Sequence, residues 1–191
     1  MANQGDSPRD LDKLRATLGG WRGDPLPPNE AVHLTLRPGA SHLHLTIDAA
    51  FHGDPAPPGP RGRRPELWNH EVVELFVVGS AERYLELEFG PHGHYLALLL
   101  AGVRRIERDD LEMEYAARIV GKRWRGVAQV PLAWLPAGAD RWNAFAIHGT
   151  NERRYLAAHP LPGERPDFHQ PERFPMGLAE LLAEAQRRAG S

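Results

Sequence analysis

Two strand-like runs, residues 72–78 and 84–89, constrain the fold of this chain more than any other part of its sequence. Both runs are rich in Val, Leu and Phe, alternate along the chain and are separated by a short turn, which predicts two adjacent antiparallel β-strands. Because the side chains of a strand alternate between its two faces, Glu74, Glu86 and Glu88 fall on one shared face. Carboxylates crowded on one face repel one another unless cations, hydrogen-bond donors or water lie between them. We therefore look for function on this face.

The composition indicates one globular domain. A chain of 191 residues with 41% hydrophobic and 25% charged residues can bury a single core. Its net charge of -2 provides little attraction for nucleic acid or for an anionic membrane, so we expect neither as a partner. The lack of cysteine excludes disulfides, thiol catalysis and thiolate metal sites. The polar amino terminus and the lack of any run approaching the roughly 20 apolar residues that span a bilayer predict a soluble cytoplasmic protein.

Further runs with strand alternation, separated by turn signals, follow along most of the chain. They are residues 32–36, 42–48, 111–120, 124–130, 142–149 and 154–159. Residues 95–100 are apolar on both faces, which predicts a central strand, and residues 102–110 follow as a charged loop. Eight or nine short strands predict an all-β fold, and of the sandwich and the barrel we favour an antiparallel β-sandwich. We expect a flexible lead-in over residues 1–20, with one or two helical turns at 11–18. The sandwich domain then occupies residues 21–176, and a short carboxyl-terminal helix occupies 177–191.

The face turned away from the core predicts a ligand groove. It collects Glu74, Phe76, Tyr84, Glu86, Glu88, Ala97, Ala144, Ala146, His148, Tyr155, Ala157 and His159, with Phe145 and Ile147 turned inward. A plain solvated face favours Lys, Thr and Arg, whereas alternating alanines form a low floor between larger walls. Carboxylates and imidazoles beside aromatic rings suit sugars, because sugar C–H faces pack on aromatic planes and carboxylates accept hydrogen bonds from hydroxyls.

Three other interpretations stay open. Glu74 and Glu86 are also suited to be the acid and the base of glycoside hydrolysis, if their separation allows it. The glutamates can instead pair with Arg154 or Arg173 in a structural network. The loop of residues 52–65, rich in Pro, Gly and Arg, is either a solvated connection, a basic lid over the groove or a contact for another protein.

The residues do not predict a metal site. Glutamate together with His148 and His169 contains metal-ligating groups, but the zinc-binding pattern HExxH is absent. His92 and His94 form a pair in a turn, where we also favour a structural role. We therefore expect no metal and no cofactor.

Four segments carry a resemblance to a known family. They are Leu-Trp-Asn-His-Glu-Val-Val-Glu-Leu-Phe at 67–76, Tyr-Leu-Glu-Leu-Glu-Phe-Gly-Pro-His-Gly at 84–93, Trp-Asn-Ala-Phe-Ala-Ile-His-Gly at 142–149 and Pro-Asp-Phe-His-Gln-Pro-Glu-Arg-Phe at 166–174. With these segments the chain resembles, over roughly residues 21–174, an uncharacterised family of small proteins from bacteria and animals. That family is related to the family-nine carbohydrate-binding modules and to the DOMON-like β-sandwiches.

The resemblance implies a jelly-roll sandwich of the carbohydrate-binding-module type, with a sugar held between two tryptophans and charged residues around its hydroxyls. Trp68 lies in the matching region, and Trp124 and Trp142 are candidates for the second tryptophan. Some DOMON-like relatives bind haem through Met and His. Met113 is predicted on the core face and His148 on the opposite face, so we expect no haem site.

We predict a ligand-binding β-sandwich that holds a carbohydrate or a related polar metabolite in a concave, carboxylate-lined groove. The expected ligand-binding residues are Trp68, Glu71, Glu74, Tyr84, Glu86, His148, Arg154, Tyr155, Asp167 and His169. Among these, Glu74, Glu86 and His148 are expected to form the floor. We favour binding over catalysis and assign no catalytic residue; a glycoside hydrolase-like enzyme and a protein-interaction module are the alternatives. The oligomeric state stays open.

Overall fold

The computed structural model describes residues 12–189, which form twelve β-strands and one α-helix. In chain order they are β1 (Leu14–Gly20), β2 (Val32–Pro38), β3 (His42–Ala50), β4 (Gly62–Arg63), β5 (Val72–Val78), β6 (Arg83–Phe89), β7 (His94–Ala101), β8 (Ile106–Arg108), β9 (Glu114–Val120), β10 (Arg123–Pro131), β11 (Arg141–His148), β12 (Arg154–Ala157) and α1 (Leu178–Ala189). The all-β prediction with a short carboxyl-terminal helix is confirmed. The short strands β4 and β8 lie in segments that we expected to be loops.

The strands form two sheets that share strand β1. The first sheet has the order β4-β7-β6-β5-β11-β12, with β8 beside β7, and the second has the order β1-β2-β3-β10-β9. Leu14 to Leu18 of β1 pair with β2, whereas Gly19 and Gly20 pair with β12, so this strand passes from one sheet to the other. Apart from the parallel pair β4 and β7, neighbouring strands in the described part of the chain are antiparallel. The predicted antiparallel sandwich is confirmed.

Strand β1 corrects the prediction for the start of the chain. Residues 14–20 form a strand rather than the expected helical turns, because Ala16 pairs with Leu34 and Leu18 pairs with Val32 in the second sheet. Leu14, Ala16 and Leu18 are two residues apart, and the strand period that this spacing allows is selected by packing against β2, which outweighs local helix propensity. Residues 1–11 of the expected lead-in lie outside the described residues.

The main core lies between the two sheets and contains the side chains predicted to point inward from β5 and β6. Leu75 and Leu87 are fully buried there, and they pack in one cluster with Leu36, Leu45 and Trp124 of the second sheet. Leu178 and Leu181 of helix α1 join the same cluster. Helix α1 therefore covers part of the core with its leucine side, as its amphipathic pattern indicates.

Strand β11 has the opposite orientation to the one expected. Phe145 lies directly opposite Glu74 of β5, and residues paired in this way point to the same face. Ala144 and Ala146 consequently point into the core between the sheets, as does Ala97 of β7. The alanine floor is therefore wrong: among its expected members only Ala157 lies on the glutamate-bearing face. Alternation shows which residues share a face, but it does not show which of the two sets is inside.

A second apolar cluster covers the outer face of the first sheet. Leu161, Phe168 and Phe174, from the irregular segment after β12, pack here against side chains of β5 and β11. The rings of Phe145 and Phe168 stack with centroids 3.9 Å apart, a geometry that adds roughly 0.5–1.5 kcal/mol beyond area burial. Because residues 160–174 lie over this face, its carboxylates are buried rather than solvated. The face predicted to be an open groove is mostly a second interior.

Candidate functional site

A pocket of about 380 Å³ remains on this outer face, where the covering segment leaves part of the sheet free. The sheet contributes Glu74, Glu86, Leu98, Leu100, Ile147 and Tyr155 to its floor. Its walls are Trp68, Arg104, Ile106, Pro166, Asp167, Phe168 and His169. Two buried carboxyl groups thus lie at the bottom of an otherwise largely apolar pocket with a polar rim.

Glu74, Glu86 and Glu88, which we call the carboxylate cluster, are almost completely buried. Their exposed fractions are 2%, 4% and 0%. Glu74 lies directly opposite Glu88 across the β5–β6 pair, and Glu86 is two residues from Glu88 on the same face of β6. The cluster therefore lies in the sheet itself, on two of its central strands, and its members do not depend on loops for their positions.

The carboxylate cluster has few protein partners. Within residues 12–189, both oxygens of Glu88 and Oε2 of Glu86 have no hydrogen-bond partner. No Lys, Arg or His nitrogen in that part of the chain forms a salt bridge with any of the three carboxyl groups. A buried, unpaired carboxylate is so costly that the group takes up a proton instead.

Burial accordingly raises the pKa of all three carboxyl groups. It raises the pKa of Glu86 to about 7, against the opposing effect of the nearby Arg104 guanidinium. Burial, and then the charge of Glu86, hold the pKa of Glu74 well above its usual range. Burial, followed by Glu74 and Glu86, does the same to the pKa of Glu88. Near neutral pH the cluster holds protons, and protonated carboxyl groups both donate and accept hydrogen bonds.

A hydrogen-bonded network forms one polar wall of the pocket. The Tyr84 hydroxyl and His169 Nδ1 share a hydrogen bond of 2.8 Å, and the backbone N–H of Arg104 donates to the same hydroxyl at 3.0 Å. Asp167 Oδ1 accepts from Arg104 Nη2 at 2.9 Å and from the backbone N–H of His169 at 3.0 Å. Burial, and then Arg104, lower the pKa of His169 to about 4, so its ring is neutral at pH 7. The network attaches the covering segment to β6 and to the turn after β7.

Arg104 has a backbone conformation that is uncommon for a residue with a side chain. Its φ angle of 56° lies in the left-handed region, where a non-glycine residue is strained. Such residues concentrate at ligand sites, where the surrounding structure holds them in place. However, Ala81 and Glu82, in the turn between β5 and β6, have nearly the same φ angle, so at Arg104 the turn between β7 and β8 accounts for the conformation.

Trp68 forms the aromatic wall. It lies in a 3-10 turn, Leu67–Asn69, and 38% of its surface is exposed. The Arg153 guanidinium donates hydrogen bonds to the backbone carbonyls of Trp68, Asn69 and His70, which holds the turn against the sheet. Tyr155 also lines the pocket. An indole face is thus available to a ligand.

The other two tryptophans considered for stacking are buried. Trp124 is 1% exposed and Trp142 is 6% exposed, and both pack in the core between the sheets. The expectation that either is the second tryptophan of the site is wrong, because an indole without an exposed face cannot stack on a ligand. Both side chains fill the core between the sheets instead.

Three of the predicted site residues lie away from the pocket. His148 points to the core side of the first sheet and stacks on His52, with ring centroids 3.5 Å apart and planes 2° apart. Glu71 accepts hydrogen bonds from the backbone N–H groups of His52, at 3.1 and 3.2 Å, and of Asp54, at 3.4 Å. Arg154 is exposed and lies 3.5 Å from Glu30. The expected floor of Glu74, Glu86 and His148 is therefore not formed, because the two faces of β11 are the reverse of those predicted. Glu71 lies away from the pocket because its odd-numbered position shares a face with the inward residues of β5.

Several pocket residues were not anticipated. Leu98 and Leu100 come from a run that is apolar on both faces, and Arg104 and Ile106 come from the segment of residues 102–110, which we interpreted as a charged loop. The available signal was an unbroken apolar strand β7, which indicates cover on both faces of the sheet.

Among residues 12–189, no group of three His, Asp or Glu side chains has a geometry that could hold a metal ion. No helix in the described part of the chain is long and apolar enough to cross a membrane.

A solved structure shares this fold. A provisionally assigned carbohydrate-binding protein from Bacteroides uniformis matches with a TM-score of 0.65 at 19% identity, over 85% of this chain and 83% of that one. A family 9 carbohydrate-binding module from Caldicellulosiruptor kristjanssonii, solved with cellotriose, matches with a TM-score of 0.46 at 10% identity, over 66% of this chain and 64% of that one. The first likeness shows the fold.

Sequence comparison identifies the family. No family model matches the chain. The UPF0462 protein C4orf33 homolog of Mus musculus is 38% identical over 179 residues, which cover 88% of this chain and 93% of that protein. The human UPF0462 protein C4orf33 is 37% identical over 164 residues, which cover 81% and 82%. The relative in Danio rerio is 38% identical over 156 residues, which cover 76% and 79%. This chain therefore belongs to the UPF0462 family.

Proposed function

We propose that this protein binds a carbohydrate or a related polar metabolite in the pocket above the carboxylate cluster. The observation that carries the proposal is the joint presence of an exposed indole, Trp68, and two buried carboxyl groups, Glu74 and Glu86, around one cavity. A sugar has apolar C–H faces that pack on an aromatic plane and hydroxyls that hydrogen-bond to carboxyl groups.

The size and the remaining walls support the same proposal. A volume of about 380 Å³ is near the lower end of the range of roughly 300–1,000 Å³ for small-molecule sites, so a short ligand suits it. Arg104, Asp167 and His169 place donors and acceptors along one side. The carbohydrate-binding role assigned to the Bacteroides uniformis protein of the same fold is consistent with this ligand class. The cytoplasmic location stays a prediction.

Isothermal titration against mono- and oligosaccharides tests the proposal. We expect wild-type protein to bind at least one sugar below millimolar concentration, and Trp68→Ala and Glu86→Gln to weaken that binding. Glu152→Gln is the matched control for the glutamate, because Glu152 is exposed in the loop between β11 and β12. Lack of binding by every sugar at millimolar concentration contradicts the proposal.

Binding is favoured over glycoside hydrolysis by the titration of the carboxyl groups. A hydrolase needs one carboxyl group protonated and its partner ionised, which requires environments that push their pKa values apart. Here burial raises the pKa of both Glu74 and Glu86, so near pH 7 neither carboxyl group is held fully ionised as the base. Turnover of a chromogenic glycoside by the wild type that is lost in Glu86→Gln would reverse this preference. A role of the loop at 52–65 as a protein contact stays a prediction.

A further inference from the structure

The carboxylate cluster forms no salt bridge within the described residues, although Arg104 and Arg153 act on it from a distance. Three carboxyl groups are buried side by side, and Oε2 of Glu86 and both oxygens of Glu88 have no hydrogen-bond partner in the described residues. Glu86 and Glu74 both border the pocket directly. An unpaired acceptor at the bottom of a pocket is the chemical complement of a ligand group that donates hydrogen bonds and carries positive charge.

The cations near the pocket are already engaged elsewhere. Arg104 pairs with Asp167 at 2.9 Å, and the guanidinium of Arg153 donates to backbone carbonyls at 2.8 Å (Asn69) and 3.3 Å (His70). Neither forms an ion pair with the cluster. The sheet thus supplies carboxyl groups that no cation of the described residues pairs with.

A primary ammonium group fits this arrangement better than a sugar hydroxyl does. It supplies three N–H donors together with a full positive charge, whereas a hydroxyl supplies one donor and no charge. Hydrogen bonds in which the donor or the acceptor is ionised are roughly twice as strong as neutral ones, and an ammonium adds the attraction between opposite charges. The ammonium can also be shared between Glu86 and Glu74, which lie on neighbouring strands of one face.

We propose that the ligand is an amino sugar whose ammonium group lies against Glu86 and Glu74 while its ring packs on Trp68. This inference rests on the proposed function, because it names the class of carbohydrate that the same pocket holds. The amine distinguishes this ligand from neutral sugars. The sugar ring, which packs on the indole of Trp68, distinguishes it from simple amines.

Proton release is a direct consequence. The carboxyl group must ionise to pair with the ammonium, and burial raises the pKa of Glu86 in the free pocket to about 7. Binding at pH 7 therefore releases protons, and affinity falls as the pH is lowered from 7 to 5. The guanidiniums of Arg104 and Arg153 act on the cluster. Of the other groups beside it, Asp167 has a lowered pKa and stays ionised, and His169 stays neutral because its pKa is about 4. The Tyr84 hydroxyl does not ionise in this window, since burial raises its pKa.

Isothermal titration of the full chain with matched sugars tests the inference. The set is 2-amino-2-deoxyglucose and 6-amino-6-deoxyglucose, each beside its N-acetyl derivative and glucose, at pH 7 and in two buffers of different ionisation enthalpy. We expect at least one free amine to bind about tenfold or more tightly than its N-acetyl partner. We also expect proton release, and loss of the amine preference in Glu86→Gln or Glu74→Gln but not in Glu152→Gln. Thermal unfolding of each variant checks that the fold is retained.

The outcomes separate this inference from the proposed function. Equal binding of amines, N-acetyl derivatives and glucose overturns the inference and leaves carbohydrate binding intact. Binding of cyclohexylamine as tightly as the amino sugars, without binding of glucose, overturns both, because the sugar ring is then not recognised. Displacement of the amino sugar by calcium chloride alone at equal concentration overturns the inference in favour of a metal ion. Lack of binding by any of the sugars overturns both.

Discussion

Glu74 and Glu88 occupy directly opposing positions on two central antiparallel strands, and both are buried, with 2% and 0% of their surface exposed. Like charges in such a pair destabilise a sheet. The pair is compatible with the fold because burial raises the pKa of both groups, so that they hold protons. A protein that only needed stability would gain from an apolar pair here.

Replacing Glu88 with leucine should therefore stabilise the protein. Neither oxygen of Glu88 forms a hydrogen bond of ordinary geometry within the described residues, and the Trp68 backbone N–H has only the smallest effect on its pKa, so the substitution removes a poorly satisfied buried group. We expect the free energy of unfolding to rise by about 1–3 kcal/mol, measured by urea denaturation at pH 8. Replacing the exposed Glu152 with leucine should change the free energy of unfolding by no more than about 0.5 kcal/mol. A loss of stability in Glu88→Leu would show that the carboxyl group has a structural role.

Glu86 should make the protein less stable as the pH rises. Its pKa is raised from 4.5 to about 7 in the folded state, so the folded protein binds the proton more tightly than the unfolded chain does. This stabilisation is complete below pH 4.5 and is lost as the pH rises to 7. Between pH 4.5 and pH 7 the free energy of unfolding of the wild type should fall by on the order of 3 kcal/mol relative to that of Glu86→Gln. Urea denaturation of both proteins at several pH values measures the difference, and parallel curves would contradict the prediction.

His148 should act in the opposite direction. Burial, followed by the neighbouring His52, lowers the pKa of His148 from 6.5 to about 3, so the folded state favours the neutral ring. This contribution is present above pH 6.5 and is lost as the pH falls toward 3. The variant His148→Phe keeps a ring beside His52. Between pH 7 and pH 4.5 we expect its free energy of unfolding to fall by roughly 2 kcal/mol less than that of the wild type. An identical acid sensitivity of the two proteins would assign the effect to other groups.

Two tryptophan variants should separate binding from stability. Trp68→Ala removes a side chain that is 38% exposed beside the pocket, so we expect weaker sugar binding with a stability change within about 1 kcal/mol. Trp124→Ala empties a fully buried position and should cost about 3–5 kcal/mol. Titration calorimetry and urea denaturation give the two readouts. Unchanged sugar binding by Trp68→Ala would remove the stacking role.

The candidate site was only partly predictable. Glu74, Glu86, Tyr84, Tyr155, Asp167 and His169 lie in or beside the pocket, as alternation and the segment resemblance predicted. His148 does not, because the face of β11 was assigned in reverse. Leu98 and Ile106 were not anticipated, since an apolar strand and a charged loop carry no mark of a ligand site. Whether the pocket residues bind a ligand stays a prediction.

The sequence by itself determined nine of the twelve described strands and the shared face of Glu74, Glu86 and Glu88, because both follow from a period of two residues. The number of these strands and the turns between them indicated the antiparallel sandwich. Only the tertiary structure decided that this face is a covered interior with a small pocket. Alternation is symmetric, so it divides a strand into two sets without stating which set is inside. That choice was made by residues 160–174, distant in sequence, whose phenylalanines cover the sheet and leave the carboxylate cluster at the bottom of the pocket.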